Sequence, residues 1–176
     1  MTNPSPIANL SELEPLTPWV AEHFHAIARG SGARKLADSG VAPLVAAARG
    51  YDTVVDEDDL KRVRKMRKSG RGRPPKQQTD MLERGAAGED TLVIPWYDLQ
   101  DVNAAGVDVM PLQFQYRPST PLIENGKARK YLLEAKGRST FDMSPSIPPS
   151  WLMDAPTILF VEGALKADST LTAILR

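Results

Sequence analysis

The sequence contains no cysteine, so disulfide bonds and thiolate zinc sites are excluded. It also has no apolar stretch that approaches the roughly 20 residues needed to cross a bilayer. The first ten residues hold neither the basic start nor the apolar run of a secretory signal peptide. These absences lead us to expect a soluble, cytoplasmic protein with no membrane partner.

The charges of the chain are strongly segregated, although they cancel to a net charge of zero over 176 residues. Nine basic residues and no acidic ones lie between Lys61 and Lys76, which leaves 13 basic residues against 22 acidic ones elsewhere. An acidic cluster, Asp56 to Asp59, comes directly before the basic run. This pattern indicates either a polyanion-binding arm or an arm folded back on its acidic neighbour.

The N-terminal part is predicted to be helical after a disordered leader. The leader covers residues 1–16, which are rich in proline, serine and asparagine. Residues 17–60 form a small helical region, which is either a helical binding module or a packed helical cap. Capping residues, prolines and glycines set the ends of its three helices: Thr17-Pro18 to Gly30 or Gly32, a second that holds Leu36 and ends at Gly40, and Pro43 to Gly50.

Residues 61–90 are predicted to be a basic flexible arm, because 64–90 show no apolar periodicity. Residues 91–143 then read as an antiparallel β meander. Its first strand, Leu92 to Tyr97, contains Pro95, which places it at a sheet edge or at a bulge. Its second strand alternates apolar residues with glutamines from Leu112 to Tyr116, so one face is buried and one is wet. A weaker third strand spans Lys130 to Leu133.

The C-terminal residues predict a strand, a turn and a helix, after a proline-rich connection over 144–156. Thr157 to Val161 reads as a clean buried strand. Glu162-Gly163 forms a sharp turn, and a helix runs from Ala164 to Leu175. With the meander and the N-terminal helices, this pattern gives an α+β fold class.

The basic run contains the segment SGRGRPPK at 69–76, whose Arg-Gly-Arg-Pro core resembles the AT-hook, a minor-groove DNA-binding peptide. Glycine lets the backbone lie deep in a narrow groove, and arginines follow the groove floor, where A·T-rich DNA is most negative. The alternative is a solvated basic loop that meets DNA or RNA only through its charge. The predicted nucleic-acid-binding residues are Arg67, Lys68, Arg71, Gly72, Arg73, Pro74 and Lys76.

Glu162 is the candidate catalytic residue, because a buried strand that ends in a carboxylate and a glycine turn places that carboxylate where ligands bind in α/β sheets. Such a group holds Mg²⁺ or transfers protons in phosphoryl transfer. The strand-Glu-Gly-helix pattern resembles the first motif of the Toprim fold. The commoner alternative is a structural glutamate at a strand end.

An ordered set of segments extends this resemblance over most of the chain, from about Leu36 to Asp168. The segments read VAPLVAAARGY, LVIPWYDL, QFQYRPSTP, NGKARKYLLEAKGRSTFDMSP and ILFVEGALKADS. In this order they resemble the uncharacterised Toprim-like family found in primase/helicase-type proteins of phages, plasmids and integrated elements. The basic arm departs from that family, in which we expect a shorter and less charged connection.

The resemblance implies a catalytic role for Glu162 and motif roles for Arg117, Lys130, Tyr131, Gly163, Lys166 and Asp168. It makes 157–176 the start of a Toprim-like domain of phosphoryl-transfer ancestry, without the later strand whose Asp-x-Asp pair binds metal. We therefore expect no complete metal site and no cofactor in this chain, with Mg²⁺ only in a complete domain. A helicase or a complementing downstream chain is the implied partner.

Other polar and aromatic residues give weaker signals. His23 and His25 point to different sides of a helix and lack ligand partners. Asp98 and Asp101 suit a turn better than a metal. The tryptophans Trp19, Trp96 and Trp151 suit a core better than base stacking.

The sequence therefore predicts a DNA-binding, replication-associated fragment of a mobile element that is catalytically incomplete alone. The rival reading is a non-enzymatic DNA-binding protein of AT-hook type, in which the C-terminal βα unit is structural.

Overall fold

In the computed structural model, residues 28–68, 76–98, 111–133, 141–145, 147 and 157–174 are described. In the first half of this part, two pairs of helices alternate with two single strands, and four strands and one helix follow. The helices are α1 Gly30–Asp38, α2 Pro43–Arg49, α3 Glu57–Lys68, α4 Lys76–Ala86 and α5 Ala164–Ile174. The strands are β1 Asp52–Val54, β2 Thr91–Trp96, β3 Gln113–Pro118, β4 Leu122–Glu124, β5 Lys127–Arg129 and β6 Leu132–Leu133.

The strands form an antiparallel sheet of order β1-β2-β3-β6 and a separate hairpin, β4-β5. Helices combined with an antiparallel sheet confirm the α+β class. The alternation predicted around Phe114 and Tyr116 is present in β3, where both aromatic rings are buried. The predicted third strand is shorter than expected and covers only Leu132–Leu133, and the three-residue strand β1 was not anticipated.

Two hydrophobic clusters lie on opposite faces of the sheet, because side chains alternate along a strand. On one face, Leu92 and Ile94 of β2 pack against α1, α2 and α5. On the other, Val93 of β2 packs with Phe114 and Tyr116 against α3 and α4. The sheet is thus covered by helices on both faces over β2.

The prediction that Pro95 marks an edge strand or a bulge is wrong, since β2 lies between β1 and β3. The ladder with β1 covers only 91–93, so among the described residues no strand lies beside Pro95 on that side. The Pro95 carbonyl accepts a hydrogen bond from Arg49 Nη1 at 3.2 Å. Because the nitrogen and carbonyl of one strand residue face the same side, the missing N–H of Pro95 faces a donor rather than a strand.

The prediction of a flexible arm over 61–90 is also wrong where the chain is described. α3 and α4 are packed helices whose apolar side chains Leu60, Val63, Met81 and Leu82 are all buried. Among the side chains that the structure describes, each helix contributes two large apolar residues to the core, which is too few to produce a clear period of 3.6. The acidic residues Glu57 to Asp59 form the first turn of α3, where negative charge is favourable.

The helices before β1 agree with the predicted ends. α1 holds Leu36 and is followed by Gly40, and α2 runs from Pro43 to the left-handed Gly50, whose N–H bonds to Ala46 O and Ala47 O. Gly32, predicted to end an earlier helix, lies inside α1. A Cβ at Gly32 would stand 2.2 Å from Thr53 Oγ1, so the close approach of α1 to β1 requires glycine. The leader and the predicted helix from Thr17 lie outside the described residues.

The strand predicted at Thr157 to Val161 is absent, and these residues are irregular. Ile158, Leu159 and Phe160 are 56–70% exposed rather than buried. The following helix is present as α5, close to the predicted range of 164–175. Most of the proline-rich connection at 144–156 lies outside the described residues. Among the described helices, none has the length and apolar character needed to span a membrane.

Asp56 caps α3 and generates a pH-dependent prediction. Its Oδ1 accepts hydrogen bonds from the N–H groups of Asp58 at 3.0 Å and Asp59 at 2.9 Å. The bond from Asp59, helped by the Arg29 guanidinium, lowers the pKa of Asp56 below its ordinary 3.8. A lowered pKa stabilises the fold above the ordinary value, and this contribution is lost as the pH falls through the folded-state pKa.

We expect Asp56→Ala to lower the Tm at pH 7 by a few degrees, because two helix-end N–H groups lose their acceptor. Asp56→Asn is the matched control, since its side-chain oxygen still caps but does not titrate. Its Tm deficit relative to the wild type should shrink as the pH is taken below 3.8. A deficit for Asp56→Asn that grows with acidification would contradict this account.

Candidate functional site

The predicted DNA-binding residues flank the connection between two packed helices. Arg67 and Lys68 are the last two residues of α3, and Lys76 is the first residue of α4. The core residues Arg71, Gly72, Arg73 and Pro74 lie outside the described residues. The contact between α3 and α4 through their buried apolar side chains therefore fixes both ends of the Arg-Gly-Arg-Pro segment on one folded unit.

Three of the nine basic residues in the run are paired with acidic residues of the body. Lys61 Nζ lies 3.0 Å from Asp58, and Arg64 Nη2 lies 2.7 Å from Glu83. Arg62 contacts Asp52 at 2.5 Å and Asp59 at 2.7 Å. The hydrogen bond to Asp52 is the main cause that raises the pKa of Arg62. For these three residues the basic run therefore contacts the acidic residues of the body, as one of the two sequence interpretations expected. The other six basic residues of the run lie from Lys65 to Lys76.

The acidic cluster before the run has a structural role. Asp59 is fully buried and lies between the guanidinium groups of Arg29 and Arg62. It also accepts the Val55 N–H at 3.1 Å. Burial raises the pKa of Asp52, and the hydrogen bond from Arg62 opposes that shift. Asp52 and Asp59 are therefore used inside the fold, whereas Glu57 and Asp58 are exposed.

Glu162 is exposed at the start of the C-terminal helix. Its carboxylate lies 2.7 Å from Lys166 Nζ, one helical turn away, and its side chain is 89% exposed. The hydrogen bond from Lys166 lowers the pKa of Glu162, so the group is ionised at neutral pH. Gly163 has a φ of 86° and its carbonyl accepts the first N–H bonds of α5. An exposed, ionised carboxylate is a weak general acid or base near pH 7.

Asp168 is completely buried, six residues after Glu162. Its Oδ1 accepts from Arg49 Nη2 at 2.9 Å, and its Oδ2 accepts from Arg49 Nε and from the Tyr51 hydroxyl at 2.8 Å. Burial, followed by the charge of Asp168, raises the pKa of Tyr51 and keeps its hydroxyl a donor. Asp168, one of the predicted motif residues, therefore forms a buried ion pair with Arg49.

Arg49 is the centre of a buried cluster that sequence reasoning missed. Besides Asp168, its guanidinium donates to both oxygens of Asp142 at 2.8 and 2.9 Å. Asp142 also accepts the Tyr97 N–H at 3.0 Å, and the Tyr97 hydroxyl donates to Arg49 O at 2.7 Å. Burial disfavours the charge, but the carboxylates of Asp168 and Asp142 outweigh it and raise the pKa of Arg49 well above its ordinary value.

The cluster has no open position for a metal ion, because the guanidinium binds both carboxylates. Within the described ranges, no group of three or more histidine, aspartate or glutamate side chains has the arrangement of a metal site. A sequence signal for Arg49 existed in the run VAAARG, where one arginine interrupts an apolar helix. A lone arginine on a buried helix needs a carboxylate partner.

The remaining motif residues meet on the surface of the sheet. The Arg117 guanidinium carbon lies 5.8 Å from the centre of the Tyr131 ring, within the range of a cation–π contact. Lys130 is exposed beside them. The structure therefore brings Arg117 and Tyr131 together and joins Glu162 to Lys166, while Asp168 faces the core.

The weaker candidates have structural positions where they are described. Asp98 forms an isolated β-bridge with Asp142 at the end of β2. Trp96 is partly buried against the cluster of α1, α2 and α5. The others lie outside the described residues: His23, His25, Trp19, Asp101 and Trp151.

The Arg49 cluster predicts unequal effects of its substitutions. Arg49→Met should lower the free energy of unfolding by about 3–5 kcal/mol, because two buried carboxylates lose their cation. Asp168→Asn should cost less, because Asp142 still neutralises Arg49. Arg34→Met on the exposed side of α1 is the control and should change stability by about 0.5 kcal/mol or less. Urea unfolding monitored by circular dichroism measures all three, and equal losses for Arg49→Met and Asp168→Asn would contradict this charge balance.

Comparisons of the chain with family models, curated proteins and solved structures found no match. The Toprim-like and AT-hook resemblances therefore stay predictions from the sequence.

Proposed function

We propose that this chain is a DNA-binding, replication-associated protein that contacts duplex DNA through its basic run. The observation that carries the proposal is the concentration of basic residues at one place in the fold. The three basic residues nearest the body are paired with acids, whereas six lie from Lys65 to Lys76, where α3 and α4 meet their connection. A phosphate backbone attracts such a concentration of positive charge.

The helix pair supports this proposal energetically. A basic segment on a free arm loses conformational freedom along its whole length when it binds. Here the segment is held at both ends by helices that bury Val63 and Met81 in one cluster. The helical residues at its two ends, Arg67, Lys68 and Lys76, therefore lose less backbone freedom on binding than they would in a free arm.

The replication context rests on the Toprim-like resemblance. In that context catalysis belongs to a complete domain with its own Mg²⁺, and a helicase or complementing chain is the partner. Glu162 would be the residue that this chain contributes to the chemistry. DNA binding does not depend on it, since Glu162 lies outside the basic run.

A second candidate, a non-enzymatic DNA-binding protein, is favoured by the two carboxylates of the C-terminal unit. Glu162 is exposed and paired with Lys166, and Asp168 is withdrawn into the core by Arg49. Both carboxylates are thus paired with a cation of the chain and lie apart from each other. Mg²⁺ is usually held by one or two carboxylates together with substrate phosphates. In this reading α5 stabilises the fold and the basic run alone is functional.

Substitution of the arginine core should remove sequence preference. We expect the chain to prefer A·T-rich over G·C-rich duplexes, and Arg71→Ala with Arg73→Ala to reduce A·T-rich affinity by about tenfold. Lys65→Ala should weaken both duplexes equally and reduce the salt dependence by about one counterion. Fluorescence anisotropy at several salt concentrations measures these effects.

Lys61→Ala is the matched lysine control for Lys65→Ala. The Lys61 ammonium already pairs with Asp58, so Lys61→Ala should weaken DNA binding less than Lys65→Ala does. Equal affinity of the wild type for the two duplexes at physiological salt would reduce the run to a plain basic loop. Equal losses of DNA affinity in the Lys61→Ala and Lys65→Ala variants would contradict the proposal that Lys61, which is paired with Asp58, contributes less to binding than Lys65.

The arrangement of Glu162 predicts that this chain does not polymerise nucleotides or cleave DNA with Mg²⁺ or Mn²⁺. A single exposed carboxylate provides too little negative charge to hold the ion against a phosphate. Glu162→Gln should therefore behave like the wild type in both assays and keep its Tm. Turnover that survives purification and disappears in Glu162→Gln would overturn this prediction and favour the enzymatic reading.

A further inference from the structure

One face of β3 and β6 is covered by none of the helices that the structure describes. β3 and β6 pair so that Gln115 faces Leu133 and Tyr116 faces Leu132, which places Arg117 opposite Tyr131. Tyr116 and Leu132 are buried on the face of α3 and α4. The alternate residues lie on the opposite face, where Tyr131 is 40% and Leu133 is 53% exposed.

Tyr131 is oriented on this face by Arg117. The guanidinium carbon lies over its ring at 5.8 Å from the centre, a contact that fixes the ring and places positive charge at one of its faces. In the described part of the chain, Arg117 forms no ion pair that would neutralise it. An exposed aromatic ring beside an arginine is a surface on which a flat π system stacks.

The β4-β5 hairpin next to this ring is basic. Its turn residues, Asn125 and Gly126, have φ values of 51° and 73°, as a tight two-residue hairpin requires. Arg129 is paired with Glu124 at 2.5 Å, which leaves Lys127 and Lys130 exposed and, among the described residues, without an ion-pair partner. The segment that leads into Tyr131 therefore carries a net positive charge.

We infer that this surface binds single-stranded nucleic acid, with a base stacked on Tyr131 and phosphates near Lys127 and Lys130. Bases in a duplex are stacked on one another, so their faces are closed to a side chain, whereas a single strand exposes them. Anionic phosphates and flat bases together match an aromatic ring flanked by basic residues. The ring and the hairpin are thus fitted to an unpaired strand.

This inference is independent of the proposed duplex binding at 65–76. The ring lies on the face opposite to the one that α3 and α4 cover, and it uses none of the basic run. The two surfaces are therefore separable by substitution. Single-strand affinity should depend on Tyr131, and duplex affinity should depend on Arg71 and Arg73.

The experiment measures binding of labelled oligothymidylate and oligouridylate of about 12 nucleotides by anisotropy. Tyr131→Ala should weaken both by about tenfold, the loss expected for one stacked base. Tyr131→Phe keeps the ring and should bind like the wild type. Lys127→Gln with Lys130→Gln should weaken binding and reduce its salt dependence, whereas Arg34→Gln on α1 should change neither.

Thermal unfolding of each variant confirms that the fold is intact. Unchanged single-strand binding by Tyr131→Ala overturns the inference, as does equal loss in Tyr131→Phe, which would show that the hydroxyl rather than the ring matters. An Arg71→Ala, Arg73→Ala variant should keep the Tyr131-dependent single-strand binding. Loss of all single-strand binding in that variant would assign it to the basic run instead. Tighter binding of one oligonucleotide shows whether the surface prefers the thymine deoxyribose strand or the uracil ribose strand, and either preference supports the inference.

Discussion

The fold depends on the burial of one guanidinium. Arg49 joins α2 to the Pro95 carbonyl of β2, to Asp142 and to Asp168 of α5, so four separate parts of the chain meet at one side chain. A buried arginine without partners would cost several kcal/mol, and its hydrogen bonds therefore select one arrangement of these parts. α5 needs this contact, because its buried positions include only two apolar residues, Ala164 and Leu171.

The central sheet connects the Arg49 cluster to the two surfaces proposed to bind nucleic acid, because β2 contributes side chains to the hydrophobic clusters on both of its faces. β2 contributes Leu92 and Ile94 to the Arg49 side and Val93 to the side of α3 and α4, so its register aligns both cores. The α3-α4 pair can keep its basic end in place only while Val63 and Met81 stay packed on that sheet. Tyr131 and Leu133 are exposed because, among the described helices, those of the Arg49 side cover β2 but not the outer part of β3 and β6.

Local signals predicted some elements well. Pro43 and Gly50 delimit α2, Gly163 precedes α5, and the alternation around Phe114 defines β3, because each depends on backbone preferences or on one exposed face. The strand at Thr157–Val161 failed for the opposite reason. Strand formation needs a neighbouring ladder, and apolar composition alone does not provide one. The helices α3 and α4 were missed because charged residues outnumber the few side chains that they bury.

The site was harder to predict than the fold, because the role of a carboxylate depends on its distant partner. Glu162 and Asp168 lie six residues apart in one motif, and sequence gives both the same chemistry. Their partners differ: Lys166 is four residues from Glu162, whereas Arg49 lies 119 positions from Asp168. Asp168 lies on the buried side of α5, whereas Glu162 precedes the helix and the left-handed Gly163. One therefore reaches solvent and the other reaches the core, and only Glu162 remains available to a ligand.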